Sequence, residues 1–438
     1  MANELTAKEL SYLKDDYLRQ PLADVVSRAI QENGINKTAI DSQSKVRLNP
    51  TFSIDLKASE NDKITDQKQA GFCWMFALMN VLRHEFVKKY NVKGFELSAN
   101  FLFFWDKIER ANAYYSRIIR TATKDTSDRE VSLYLSYPDD DGGEWDMAVA
   151  LVQKYGVLPD SAFPRTSIAN RTAEFNSVLS LKLRRDGMRL RKLINSGVEP
   201  YGINALRKKM LTEVYRMVAM SIGVPPKTFD FEYRDDKGEY HIDQAITPKD
   251  FYEKYFDVDL DQYISVCNYP HRKYNQLYQQ TTADNVIGGP HIHYLNLPME
   301  NLKRMAIQQL TDGEPVWFGN DVGAQSANKP GLLDSNLYHW DRLFNIDLDM
   351  TKKQRFDYDE AQASHAMTLT GVDIIDGQPT KWQVENSWGS KVGEDGYFTM
   401  SDDWMDNFVY EVIIKREYLT EEQQRMLTEK PVELEPWD

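Results

Sequence analysis

Cysteine is almost absent from this chain: Cys73 and Cys267 are the only two in 438 residues. That excludes a disulfide framework and leaves each thiol to be explained on its own terms. Long apolar runs are missing as well. No stretch approaches the roughly 18 apolar residues of a membrane span, and the N-terminus from Met1 to Leu10 has mixed charge and no apolar core. Neither membrane insertion nor secretion is indicated, so the cytoplasm is the expected compartment. Positive charge is in deficit too. The net charge of -14 works against sequence-blind binding to phosphate backbones, which depends on counterions released by lysine and arginine. Internal repeats and low-complexity tracts do not stand out.

What is present belongs to an ordered globular protein: 42% hydrophobic residues and 12% aromatics, with 24 Tyr and 9 Trp. The length suggests two or three domains, or one core with large insertions. Leu10, Leu13 and Tyr17 recur at helical spacing, and Glu32-Asn33-Gly34 supplies a stop, so the first forty residues read as a solvated helical pair. A mixed, charge-rich middle contains the helical pattern Ile203 to Ile222, ended by Gly223-Val224-Pro225-Pro226. After Gly288-Gly289 the period shortens. Val316 to Gly319, Met367 to Ile375, Trp382 to Asn386 and Tyr397 to Met400 read as strands, which makes the whole an α+β protein with its strands towards the C-terminus.

From Cys73 to Leu82 the only strongly polar residue is Asn80, so this segment reads as a buried helix that begins at Cys73. The unpaired N–H groups and dipole at a helix N-terminus favour a thiolate there. The alternative is a free cysteine acting as a small buried hydrophobe. Gln67, six residues upstream, is placed to return its side-chain amide towards the Cys73 N–H, giving two donors for an oxyanion; a loop glutamine is otherwise simply solvated. His365 precedes the apolar segment Ala366-Met367-Thr368-Leu369 and is expected at the mouth of a strand. In Lys381 to Asn386, alternation puts Asn386 on the apolar face with Trp382 and Val384, where its amide needs a partner. The turn signal Asp376-Gly377-Gln378-Pro379 would fold these two segments into a hairpin and bring His365 and Asn386 together. His291 and His293 share a strand face that could bind a metal, but no further ligand pattern accompanies them, and no metal site is expected. Cys267 lies in the strand-like run Ile264 to Asn268 and reads as packing.

The run Thr65-Asp66-Gln67-Lys68-Gln69-Ala70-Gly71-Phe72-Cys73-Trp74-Met75-Phe76-Ala77 resembles the bleomycin hydrolase/aminopeptidase C branch of papain-like cysteine peptidases. So do Ser364-His365-Ala366-Met367 and Val384-Glu385-Asn386-Ser387-Trp388-Gly389. Further matches lie at Leu97 to Lys107, Asp141 to Met147, Tyr294 to Lys303 and Glu314 to Gly319, so the resemblance spans most of the chain. In papain-type enzymes the histidine follows the cysteine by about 130–150 residues. Here the interval is 292 residues, and the long middle insertion is a feature of the branch.

The resemblance implies a two-lobed papain-like fold with a large helical insertion and an N-terminal helical extension. It divides the chain into an extension over 1–50, a helical lobe with the nucleophile over 51–115, and an inserted helical and oligomerisation region over 116–290. A β-rich lobe with the histidine and asparagine over 291–420 and an arm entering the cleft over 421–438 complete it. It further implies Cys73 as nucleophile, His365 as base, Asn386 orienting the imidazole, Gln67 in the oxyanion hole and Trp388 shielding the asparagine–histidine bond. Peptides are the implied substrates, no cofactor or metal is needed, and self-assembly into a homohexameric ring is implied.

Phe72 stands where most relatives carry arginine, and Ala363 and Ser364 also depart from the usual residues. Relatives with strict aminopeptidase action run a few residues past the Trp-Asp motif, and their terminal carboxylate receives the substrate's amine. This sequence stops at Asp438, and three or four absent residues would open roughly 10–14 Å of groove. Endopeptidase action on oligopeptides is therefore expected, with aminopeptidase action gated by the Asp438 carboxylate as the alternative. A reading from another class is a nucleic-acid-binding ring built on basic residues such as Lys182, Arg184, Arg191 and Arg207; a solvated helix face is favoured over it.

Overall fold

The computed structural model describes residues 4–56, 64–92, 94–235 and 237–437. A largely helical half and a twelve-stranded sheet meet along one long buried helix, Cys73–Tyr90. That helix is apolar on nearly every side, and Trp74, Met75, Leu78, Leu82 and Phe86 are fully enclosed. Each side chain of this size contributes roughly 1.5–3 kcal/mol by leaving water, which is why a helix of this composition settles in the centre and not on the surface.

The helical half packs Ala99–Arg120 against Thr172–Asn195 and Pro200–Ile222. Several basic residues of this region are tied within it. Lys182 pairs with Asp186 and Glu213, and Arg184 and Arg191 donate to the carbonyls of Leu135, Ser136 and Thr121. The N-terminal helices form at Ala7–Arg19, with Thr6 and Glu9 closing a capping box, and at Ala23–Asn33; neither contains a buried residue.

In the sheet, strand Val316–Asn320 lies between Val409–Lys415 and His365–Ile375, and the latter pairs with Gln378–Glu385 and then Tyr397–Ser401. On the other side Val409–Lys415 pairs with Tyr263–Cys267, followed by His293–Asn296, Gln276–Gln279 and Val432–Glu433. Strands at 263–267 and 276–279 fall within the span read as an insertion, and they join the same sheet as the later ones. Cys267 is buried in the first of them, with Ser265 Oγ 3.6 Å away, a packing environment.

The hairpin foreseen between the two candidate site segments forms. Its turn places Asp376 and Gly377 at φ 51° and 77°, the pair of left-handed conformations that suits a two-residue hairpin loop and that glycine adopts without strain. The strands run antiparallel from Ile375↔Gln378 to Thr368↔Glu385. Continued one pair further, that register sets Asn386 opposite Met367, with His365 two residues on and within reach of the Asn386 side chain at the open end of the hairpin.

Candidate active site

Cys73 is the first residue of its helix, and Phe72 before it supplies no side-chain cap. The first turn carries no acidic residue either; the Met75 N–H donates to Phe72 O at 3.2 Å, and the Cys73 and Trp74 amides are the ones that face the thiol. Phe72, where arginine is usual in the branch, is buried and stacks on Phe76 and Phe103 with ring centroids at 5.6 and 4.9 Å. Burial pushes the Cys73 thiol up to about 11, against backbone N–H groups of Ala366 and Trp74 that favour the thiolate; Glu144 nearby adds to the rise.

His365 opens its strand opposite Asn320. Its Nε2 lies 3.0 Å from Asn386 Oδ1, which also accepts the Ser387 N–H at 2.8 Å. Because a carbonyl oxygen only accepts, Nε2 carries the proton and Nδ1 is the nitrogen left for the thiol. Burial lowers the His365 pKa to about 4, opposed by the bond from Asn386. Trp388 lies over the imidazole at 4.8 Å between centroids and 29° between planes, and so covers the bond that orients it.

Gln67 is buried and pinned from both ends. Its Nε2 donates to Ala70 O at 2.7 Å, leaving the second amide hydrogen for another acceptor, and its Oε1 accepts from Ser387 Oγ at 2.5 Å. The Gln67 N–H donates to Ser387 O at 2.7 Å, so two hydrogen bonds tie the loop before Cys73 to the residue after Asn386. Ser387 was not singled out in the sequence; its only signal was its place beside Asn386.

Cys73, His365, Ser364 and Ala366 line one cleft of about 440 Å³, together with Gly142, Gly143, Glu144, Glu411 and Pro436. Trp74 Nε1 holds the Asp141 carbonyl at 2.6 Å and so fixes the 140–143 rim beside the nucleophile. Pro436 belongs to the C-terminal arm. Val432 and Glu433 pair in parallel with Tyr278 and Gln279, Leu434 N–H donates to Gln279 O at 2.8 Å, and the Trp437 ring sits 4.2 Å from the Arg129 guanidinium. Asp438, the expected gate, lies outside the described residues.

The remaining histidines do not join this cleft. His291 pairs with Asp284 at 2.5 Å and His293 meets Gln279 at 3.1 Å. Among the described residues the side chains close enough together to share an ion are Asp235, Glu239 and His241 at a hairpin turn. No described helix is long and apolar enough to cross a membrane.

Comparison with known proteins agrees with this arrangement. The family model described as Peptidase C1-like family matches residues 4–438. Aminopeptidase G of Lactobacillus delbrueckii subsp. lactis is 46% identical over 438 residues, covering 100% of this chain and 99% of that protein. Aminopeptidase C of Lactobacillus helveticus is 43% identical over 443 residues, covering 100% and 98%. The crystal structure of PepW from Lactobacillus rhamnosis HN001 superposes with a TM-score of 0.97 at 46% identity, covering 100% of this chain and 99% of that one. Fold and cleft are those of a papain-like cysteine peptidase, a hydrolase. The chain belongs to the Peptidase C1-like family, within the bleomycin hydrolase/aminopeptidase C group to which its motifs pointed.

Proposed function

We propose that the protein is an aminopeptidase that removes residues from the free amino end of peptides, with Cys73 as nucleophile and His365 as its acid and base. The observation that carries this reading is the arm: Pro436 lines the same cleft as Cys73 and His365, which puts the C-terminal segment where it can limit how far a peptide extends past the nucleophile. The relatives' names, aminopeptidases G and C, favour this reading over internal cleavage.

The chemistry follows from the geometry. His365 Nδ1 takes the thiol proton, and the thiolate attacks the carbonyl carbon of the scissile bond. The resulting oxyanion accepts from the Cys73 N–H and the second Gln67 Nε2 hydrogen. His365 then gives its proton to the departing amine, leaving a thioester on Cys73. Water, deprotonated by His365, attacks the thioester and releases the amino acid. Asn386 holds Nε2 throughout, so the ring keeps Nδ1 towards the sulfur as its charge changes. Trp388 keeps water from the Nε2–Oδ1 bond.

Self-assembly is part of the same reading. The helix Ala7–Arg19 has no buried residue and leaves Leu10, Leu13, Tyr17 and Leu18 exposed, an apolar face that a second copy of the chain would cover.

Matched oligopeptides with free and acetylated N-termini, analysed by mass spectrometry, test the reading. Stepwise loss of single residues from the free peptide, with the acetylated peptide untouched, is expected. Internal fragments from the acetylated peptide would instead establish an endopeptidase.

A further inference from the structure

Segments 97–107 and 141–147 supply no reacting group, yet they meet at one buried ammonium. Lys107 lies on the helix Ala99–Arg120 with its side chain wholly enclosed. Its Nζ donates to Asp139 Oδ1 at 2.9 Å, to the Asp140 carbonyl at 3.3 Å and to Asp141 Oδ1 at 2.8 Å. An ammonium has three protons, and here they go to three consecutive residues of one loop. Arg110, three residues on and so on the same helix face, donates to the Gly142 carbonyl at 2.5 Å and to Asp106 at 2.7 Å. Two cations of one helix thus hold every residue from Asp139 to Gly142.

This loop has no framework of its own: residues 137–144 form neither helix nor strand. Cys73 is carried by a buried helix and His365 by a strand, whereas Asp140, Gly142, Gly143 and Glu144 reach the same cleft from the loop. The loop also abuts the nucleophile's own segment. A Cβ at Gly71 would lie 2.6 Å from Asp141 Cβ, and one at Gly143 would lie 2.6 Å from Trp74 Cε2, so both contacts need glycine. The charges around Lys107 are unequal. Burial would lower its pKa, but Asp139, Asp141 and Asp106 outweigh that and keep it an ammonium. Burial would likewise raise Asp141, but Lys107 and the Thr172 hydroxyl hold it below its ordinary value. Asp139 goes the other way: burial pushes it up to about 6, against Lys107 and Arg110 on the helix, and Asp141 in the loop adds to the rise. Its Oδ2 has no hydrogen-bond partner among the described residues and is open to a proton.

We propose that Lys107 is a positioning residue for peptide binding: by drawing Asp139, Asp140 and Asp141 around its ammonium, it sets where the 140–143 rim stands beside Cys73 and so how firmly the cleft holds a peptide. This rests on the peptidase reading of the cleft. Lys107 is enclosed and does not itself line the cleft, so it acts through the loop. Because Cys73 and His365 are held by other elements, a loosened rim weakens binding and leaves the chemical step nearly intact. When Asp139 takes up a proton its ion pair with Lys107 is lost, and Asp141 alone remains paired with the ammonium. The rim therefore slackens, and the hold on a peptide weakens, as pH falls through about 6.

The test measures kcat, KM and the rate of Cys73 alkylation by iodoacetamide on wild type, Lys107→Met and Asp139→Asn, using a neutral peptide with a free N-terminus and variants with wild-type near-UV circular dichroism. Lys107→Met should raise KM about tenfold and leave kcat and the alkylation rate within about threefold, since a displaced binding element is felt by the peptide and not by a small reagent. In wild type KM should rise severalfold from pH 7 to pH 5. In Asp139→Asn, whose amide takes up no proton, KM should be about threefold higher at pH 7 and level across that range. KM within about twofold of wild type in both variants at pH 7 overturns the proposal. So does a fall in kcat and alkylation with KM unmoved, the pattern of a lysine that only supports the fold.

Should Lys107→Met fail to fold, Asp139→Asn decides on the same readings. Should both fail, wild type alone decides, and a KM that stays level from pH 7 to pH 5 overturns the proposal. The Cys73→Ala protein separates the two levels: hydrolysis that survives in it removes the peptidase reading itself, whereas a dead Cys73→Ala with KM unmoved in the other variants removes only the role of Lys107.

Discussion

Ser387 Oγ donates to Gln67 Oε1 at 2.5 Å, joining the loop ahead of the nucleophile to the residue that follows Asn386. One short contact thereby couples Gln67, the proposed oxyanion donor, to the strand end that carries Asn386. Ser387 touches no reacting atom and acts by position. Loss of an oxyanion donor outright costs about 10²–10³ in kcat, and Ser387→Ala only loosens one, so kcat should fall about tenfold while KM stays within twofold. Steady-state kinetics checks this; a rise in KM alone would contradict it.

Asn386 stabilises the protonated imidazole, because its oxygen accepts the Nε2–H. Burial already draws the His365 pKa down to about 4, and without the asparagine it falls further. The imidazolium of Asn386→Ala therefore surrenders its proton at lower pH. A hydrogen bond to a charged group is worth about 1.5–3 kcal/mol, roughly one to two pH units. The midpoint at which the His365 imidazole NMR shifts titrate should move down by about that much in Asn386→Ala, and an unmoved midpoint would refute the role.

Glu385 is buried against Arg83 and, at 2.7 Å, His84. Burial alone would raise its pKa, but Arg83 and His84 outweigh it and hold the carboxyl below its ordinary value. A depressed folded-state pKa contributes stability above the unfolded value of about 4.5 and loses it as pH falls through the folded value. Acid unfolding of wild type should accordingly steepen below about pH 4.5. Glu385→Gln should be destabilised by about 3–5 kcal/mol at neutral pH, since it removes the carboxylate that faces the buried Arg83 guanidinium. Urea titrations at pH 7 and pH 4 test both statements.

Arg129 sits 4.2 Å from the Trp437 ring and latches the arm. A cation–π contact of this kind is worth about 0.5–1 kcal/mol when exposed, so Arg129→Ala should raise cleavage of acetylated relative to free peptides by about two- to fivefold. An unchanged ratio would mean that the latch does not govern entry.

The legible part of this protein was local. The loop-to-helix change at Cys73, the Asp376-Gly377 turn and the alternation ending at Asn386 were sufficient to place three side chains, because a helix start and a tight hairpin are set by neighbouring residues. Strands 276–279 and 432–433 were not foreseen: each is only a few residues long and is defined by its partner in the sheet. Ser387 stands within the motif from Val384 to Gly389, but its hold on Gln67 depends on a contact between segments 320 residues apart.

The most direct test is the rate of peptide hydrolysis by Cys73→Ala beside that of Cys267→Ala. The account predicts no detectable turnover above buffer for the first and, because Cys267 is buried packing in a strand, near wild-type turnover per folded molecule for the second. Sustained hydrolysis by folded Cys73→Ala would contradict it.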